Sequence, residues 1–212
     1  AVDCVAIGRQ AMYAGSATQA GTVAIGKNAL TNLSSGEGNT AVGYESMDAT
    51  TTGGGNTALG YQALSGDTDG DGGDNTAIGH KALLTAVSPS KNVAIGDSAM
   101  RVIDASANGI ADCVAIGANA FYGDTDTDTD TNGTVAIGRD ALKVLHNGQY
   151  NTAVGWSSMA EHESGRANTC FGYGTMSQSG GDTTAQDNTF LGASAGGGDW
   201  AGAGVDANIA IG

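Results

Sequence analysis

The chain has 212 residues with 22 acidic and 8 basic side chains, a formal net charge of −14, and 36 glycines against a single proline. At that charge the electrostatic part of binding to a phosphate backbone or an anionic lipid surface is repulsive, so nucleic acid and acidic membranes are not expected partners. No apolar run reaches the roughly 18 residues of a membrane-spanning helix, so no membrane insertion is expected. Ala1 to Asp3 reads neither as an initiator methionine nor as a signal peptide, which marks the chain as processed or as a fragment.

In chain order, the pentapeptide x-[TVI]-A-[VIL]-G returns twelve times, closing at Gly8, Gly26, Gly43, Gly60, Gly79, Gly96, Gly117, Gly138, Gly155, Gly172, Gly192 and Gly212. The intervals are 17 to 21 residues. A short fixed period with small insertions is the mark of a solenoid, in which each coil buries its apolar residues against its neighbours. The predicted fold is all-β: one domain spanning residues 1–212, a parallel β-solenoid of about 12 coils, each 17–21 residues long. The repeat leaves no room for a separate catalytic module.

Within each repeat the residues before the glycine alternate, as in Asn39-Thr40-Ala41-Val42-Gly43, and this period of two predicts a short strand. Val, Thr or Ile three before the glycine and Val, Ile or Leu one before it, as at Val5 and Ile7, are expected to point into the coil. The alanine between them is then a surface approached closely by another backbone, of a neighbouring chain or of the same coil. Only Cys170 and Phe190 replace that alanine. Asn fills the column four before the glycine in eight repeats (Asn39, Asn56, Asn75, Asn92, Asn151, Asn168, Asn188 and Asn208), which predicts a ladder of amides along the rod. A second apolar pair follows the glycine by three and four residues, as at Ala63-Leu64, so each coil is expected to hold two short strands and two turns.

Cys4 and Cys113 share a column six coils apart, about 29 Å at the usual strand spacing of about 4.8 Å, and a disulfide needs Cα atoms within about 7 Å. A link between chains and a small side chain standing where Asn or Thr usually sits are both open. Cys170 is expected to be packed.

Three of the long turns carry oxygen ligands at alternate positions. Asp67, Asp69 and Asp71 before Gly72, and Asp128, Asp130 and Asn132 before Gly133, fit the opening of a calcium loop. Asp104, Ser106 and Asn108 before Gly109 fit it too, with Asp112 at the ninth position. None carries the twelfth-position glutamate. Structural Ca2+ and solvated low-complexity turns are the two readings.

The column after the motif glycine holds Tyr44, Tyr61 and His80 on consecutive coils, then Trp156 and Tyr173. A stacked stripe of rings can bind sugar, and cross-coil stacking alone also accounts for it. The threonines of Asn-Thr-Ala raise an ordered-water surface, which the inward parity expected for that column disfavours. His80, His146 and His162 fall in different coils and columns, with no H-x-x-x-H and no G-x-S-x-G, so no catalysis is expected.

The core motif, as in Thr22 to Gly26 and Asn75 to Gly79, resembles the head repeats of trimeric autotransporter adhesins. Asn39 to Met47, Asn56 to Leu64 and Asn75 to Leu83 resemble the NTAxGYxAL repeats of bacterial surface fibres and phage tail fibres. The resemblance implies a left-handed β-roll, commonly with three chains around one axis, used for reach and attachment at a cell surface or on a virion. The coils here are longer than those of the adhesin heads, and no stalk, anchor or tail-fibre chaperone segment is recognisable. The expected function is a structural or adhesive extracellular fibre segment working as a homotrimer against a host glycan or protein. The alternatives are a filament subunit stacking end to end and a carbohydrate-binding module using the aromatic stripe.

Overall fold

The computed structural model describes residues 3–14, 19–66, 72–103, 110–123, 130–177, 185–197 and 206–212, with residues 102 and 103 as backbone only. Each repeat forms one three-residue strand: β1 Val5–Ile7, β2 Val23–Ile25, β3 Thr40–Val42, β4 Thr57–Leu59, β5 Thr76–Ile78, β7 Val93–Ile95, β9 Val114–Ile116, β10 Val135–Ile137, β11 Thr152–Val154, β12 Thr169–Phe171, β13 Thr189–Leu191 and β14 Ile209–Ile211. These twelve lie side by side in chain order as one sheet. Every pair is parallel, and each column stands over itself, as Thr40 on Thr57, Ala41 on Ala58 and Val42 on Leu59. At about 4.8 Å per strand the stack is roughly 53 Å long. The molecule is a parallel β-solenoid, as the repeat predicts.

Which face points inward is the reverse of the sequence expectation. The alanine column is the interior: Ala24, Ala41, Ala58, Ala77, Ala94, Ala115, Ala136 and Ala153 are each 0% exposed. The flanking columns are half-buried or exposed, with Ile7 at 58% and Leu59 at 48%. The reason is the narrow bore of a coil this short. The opposite wall already sends in Leu30, Met47, Leu64, Leu83, Met100, Phe121, Leu142, Met159 and Met176, and beside those only a methyl group fits. Val and Ile are thereby turned outward.

The second apolar pair is also not a strand. Those residues form turns, and the one further sheet among the described residues is the short pair β6 (Thr85–Ala86) and β8 (Val102–Ile103). The physical cause is a left-handed backbone at the buried Leu, Met or Phe of each coil, with φ between 47° and 53° from Leu30 to Met176. Such a φ is costly for an L residue and worst for a β-branched one, and no Val, Ile or Thr occupies this column. Hydrogen bonds to the next coil offset the cost: Met47 N donates to Ala63 O at 3.0 Å and Leu64 N to Ala82 O at 3.0 Å.

The motif glycines form a tight seam. Gly43 has φ +146, and a Cβ there would sit 2.1 Å from the carbonyl oxygen of Gly60 in the next coil. Any side chain would wedge the coils apart, which is why the pattern closes on glycine.

The amide ladder forms as expected. Asn56 Oδ1 accepts both the backbone N–H and the Nδ2 of Asn75, at 3.0 and 2.9 Å, and Asn75 Nδ2 also donates to Pro89 O at 2.7 Å. Asn92 repeats this on Asn75, and a second run joins Asn151, Asn168, Asn188 and Asn208. Between the runs stand Cys113, whose N–H still reaches Asn92 Oδ1 at 3.0 Å, and Thr134, whose buried Oγ1 has no partner among the described residues.

Candidate functional site: the outward face of the sheet

Because the asparagine and alanine columns point inward, the alternate positions between and beside them point out. The outward face therefore carries four columns. Its two central ones are the strand residues that flank the alanine. They hold only Val, Thr and Ile in the first, and only Ile, Val, Leu and Phe in the second, with no charged residue in any coil. Exposed members include Val5, Ile7, Leu59, Ile116, Phe171, Leu191, Ile209 and Ile211. Single exposed apolar residues need no explanation, but a continuous apolar stripe on a chain of net charge −14 does. The threonines of Asn-Thr-Ala, such as Thr57, are on this outward face too. That reverses the parity argument against an ordered-water surface, although the neighbouring column is wholly apolar.

One edge of the face is the column after the motif glycine, where side chains of successive coils stack. Lys27 Nζ lies 5.0 Å from the Tyr44 ring centroid, and Tyr44 and Tyr61 stack at 5.2 Å with 6° between planes. Tyr61 stacks on His80 at 5.5 Å, and His80 Nδ1 meets Asp97 Oδ1 at 2.8 Å. That bond to His80 holds the Asp97 carboxyl below the usual range. With Lys27 on one side and Tyr61 on the other, Tyr44 presents edges more than faces. Further along, Arg139 lies 5.9 Å from the Trp156 ring, and Trp156 meets Tyr173 edge to face at 6.1 Å, with the two rings 55% and 61% exposed. Of the four predicted ligand-binding rings, this pair has the more open surface.

The other edge is the column just before the asparagine. From Gly21 to Ala207 it is left-handed, with Asp74, Lys91, Asp112, Tyr150 and Asp187 at φ between 57° and 60°. Gly21, Gly38, Gly55 and Gly133 fill the same column with φ from 68° to 72°.

Most predicted calcium ligands, Asp67, Asp69, Asp71, Asp104, Ser106, Asn108 and Asp128, lie outside the described residues. Of the three described, Asp130 and Asn132 are already engaged by the protein. Asn132 Oδ1 accepts the Ala111 N–H at 2.7 Å and its Nδ2 donates to Asp130 Oδ1 at 3.2 Å, while Asp130 Oδ2 accepts from Gln149. Asp112 stands in the edge column, with its backbone N–H donated to Ser90 O at 3.2 Å. Among the described residues no three His, Cys, Asp or Glu side chains gather as a metal centre would.

The remaining reactive groups are dispersed. His162 is fully buried, in the coil position that Leu145 fills in the preceding coil, and burial pushes its pKa down to about 4, opposed in part by a hydrogen bond with the Gly165 backbone. Burial lifts the Cys113 thiol to about 11 and that of Cys170 to about 12, which leaves both unreactive at neutral pH. A shallow groove lined by Asn147, Ser164, Arg166 and Gln186 has its arginine bonded to Gln186 at 2.9 Å. Among the described residues no helix is long and apolar enough to cross a membrane.

No protein-family model matches the chain, and no curated protein or solved structure is significantly similar to it. The chemistry of the outward face is therefore the ground for a functional reading. Sequence reasoning missed this face because it assigned the strand parity by hydrophobicity alone. Coil length is the signal that could have found it: a 17-residue loop has no interior for two aliphatic rows as well as the Leu or Met of the opposite wall.

Proposed function

We propose that the chain is a rod segment of an extracellular fibre, at a bacterial surface or on a virion, with a mechanical and adhesive role and no catalysis. The observation that carries this reading is the continuous, in-register stack of twelve strands, which makes length and stiffness the molecule's main product. The repeat resemblance supports the location, and the uncharged outward stripe supports a homo-oligomer, a trimer in the form the resemblance implies, with receptor contacts left to the exposed turns. Calcium in the turns 67–72, 104–112 and 128–133 would be structural. Small-angle scattering and electron microscopy, each with calcium and with chelator, test the reading: a rod about 53 Å long per chain is expected, and a globular outline would sink it. Open-ended filaments would favour end-to-end stacking, and a shape indifferent to chelator would remove calcium.

A second reading has a specific observation behind it. The exposed Trp156–Tyr173 pair offers ring surface of the kind that sugars stack on. Glycan-array binding lost in Trp156→Ala and Tyr173→Ala and kept in Tyr44→Ala would support it, whereas an array with no binder would remove it.

A further inference from the structure

The column six before the motif glycine, one residue beyond the left-handed edge column, divides the rod into two halves. From the coil closed by Gly26 to that closed by Gly117 it holds Ala20, Glu37, Gly54, Gly73, Ser90 and Ala111. In the next five coils it holds Asn132, Gln149, Arg166, Gln186 and Asp206, every one a planar hydrogen-bonding group. The row is in register: the carbonyls of Asn132, Gln149, Arg166 and Gln186 each accept the edge-column N–H of the following coil, at 2.9 to 3.1 Å. Arg166 and Asp206 are exposed and the other three half-buried.

The groove lined by Asn147, Ser164, Arg166 and Gln186 lies along this row and has a volume of about 240 Å³. Its floor is bare backbone, because a Cβ on Gly148 or Gly165 would run into a carbonyl oxygen of the next coil. Arg166 Nε donates to Gln186 Oε1 at 2.9 Å, which fixes the guanidinium plane and leaves both Nη groups without a bond among the described residues. At the near end, Asn132 Nδ2 donates to Asp130 Oδ1 at 3.2 Å and Gln149 Nε2 donates to Asp130 Oδ2. Beside the row stands Tyr150, 62% exposed, with its ring laid back over Gly133, where a Cβ would be 2.7 Å from it.

We infer that this row is a binding site for a neutral glycan chain lying along the rod, one sugar ring to a coil. This rests on the fibre reading above, with its receptor contacts at the turns, and names the chemistry of the receptor. Neighbouring sugar hydroxyls donate and accept side by side, and amide, carboxylate and guanidinium groups answer them with paired atoms in one plane. The rise of about 4.8 Å between coils is close to the advance of one pyranose ring and well above the roughly 3.3 Å per residue of an extended peptide. Tyr150 supplies the ring on which the apolar face of a sugar stacks. Charge disfavours acidic sugars, because Asp130, Asp187 and Asp206 outnumber Arg166 along the row and its flanks. The site differs from the Trp156–Tyr173 pair in its column and in its reliance on hydrogen bonds.

The test is binding of the full chain to a microarray of neutral oligosaccharides of graded length, printed beside sialylated glycans and polygalacturonate, with the affinity of each binder then measured by calorimetry. Affinity for neutral chains should rise with length and level off at about five rings, one for each coil of the row. Arg166→Ala, a change at an exposed side chain, should weaken binding at least about tenfold, and Tyr150→Ala should weaken it too. Glu37→Ala, in the same column of the other half, should leave it unchanged. An array with no neutral binder, or with binding confined to charged chains, would overturn the inference, while a rod seen by scattering would keep the fibre reading. Binding lost in Trp156→Ala but untouched by Arg166→Ala would belong to the ring pair and would overturn this site.

Discussion

Phe190 and Gly196 exchange volume within one coil: a Cβ on Gly196 would lie 3.0 Å from the Phe190 ring. Elsewhere the strand contributes an alanine to the interior and the opposite wall a Leu, Met or Phe; here the large group comes from the strand and the wall gives way. Cys170 with Met176, 3.9 Å apart at their sulfurs, is an intermediate form of the same arrangement. Phe190→Ala alone should cost about 3–5 kcal/mol through the cavity it leaves, and Gly196→Met alone should also destabilise by overpacking. The double variant restores the arrangement of the other coils and should be markedly more stable than the sum of its parts, which a thermodynamic cycle from urea denaturation measures.

The left-handed column makes shape matter more than hydrophobicity. Leu64, at φ 51°, is 1% exposed. Leu64→Met should cost less than about 1.5 kcal/mol. Leu64→Ile, equal in volume but β-branched, should cost clearly more because it strains this backbone. Equal midpoints for the two variants in thermal denaturation would refute the argument.

The amide ladder should be improvable at its gap. Thr134 is buried with Oγ1 lacking a partner among the described residues, and Asn151 begins the next run. Thr134→Asn is expected to stabilise by about 1 kcal/mol through the added amide bonds. Asn75→Ala, which strips the Pro89 carbonyl and Asn56 Oδ1 of a donor, should cost about 2–4 kcal/mol. Calorimetry of both variants reads the two signs.

Two groups give opposite pH responses. His162 has its folded pKa lowered to about 4, below the usual 6.5, so the fold is fully stable above pH 6.5 and loses stability as pH falls towards 4. Asp48, half-buried, is raised from 3.8 to about 6, first by burial and then by the charge of Glu45. Its contribution is present below pH 3.8 and is lost as pH rises through 6. Between pH 4 and 7, His162→Gln should flatten the acid-side loss, and Asp48→Asn should raise stability at the upper end. Melting curves across that range for both variants would show it, and parallel profiles would count against both assignments.

Repeat, fold class and ladder were legible because each rests on a residue type with one dominant use: glycine at a seam no Cβ can enter, asparagine with donor and acceptor at matching spacing. The strand parity was not legible. Alternation says that Ala41 and its neighbours Thr40 and Val42 face opposite ways, but not which way is in, and hydrophobicity points to the wrong answer when the bore admits only a methyl group. The turn at Leu64 was misread as strand because its apolar pair carries no turn residue, and the left-handed backbone is visible only as the missing β-branched side chains of the whole column.

The bonds between coils, such as Gly43 N to Ile25 O at 2.8 Å, run along the axis of the rod. A pull on its ends therefore loads the seams one after another and not all at once. Each coil that peels away exchanges about 5 Å of stacked height for some 55–60 Å of extended 17-residue chain. Under tension the rod lengthens stepwise, and a tether built this way absorbs the work of a sudden tug before its far end lets go.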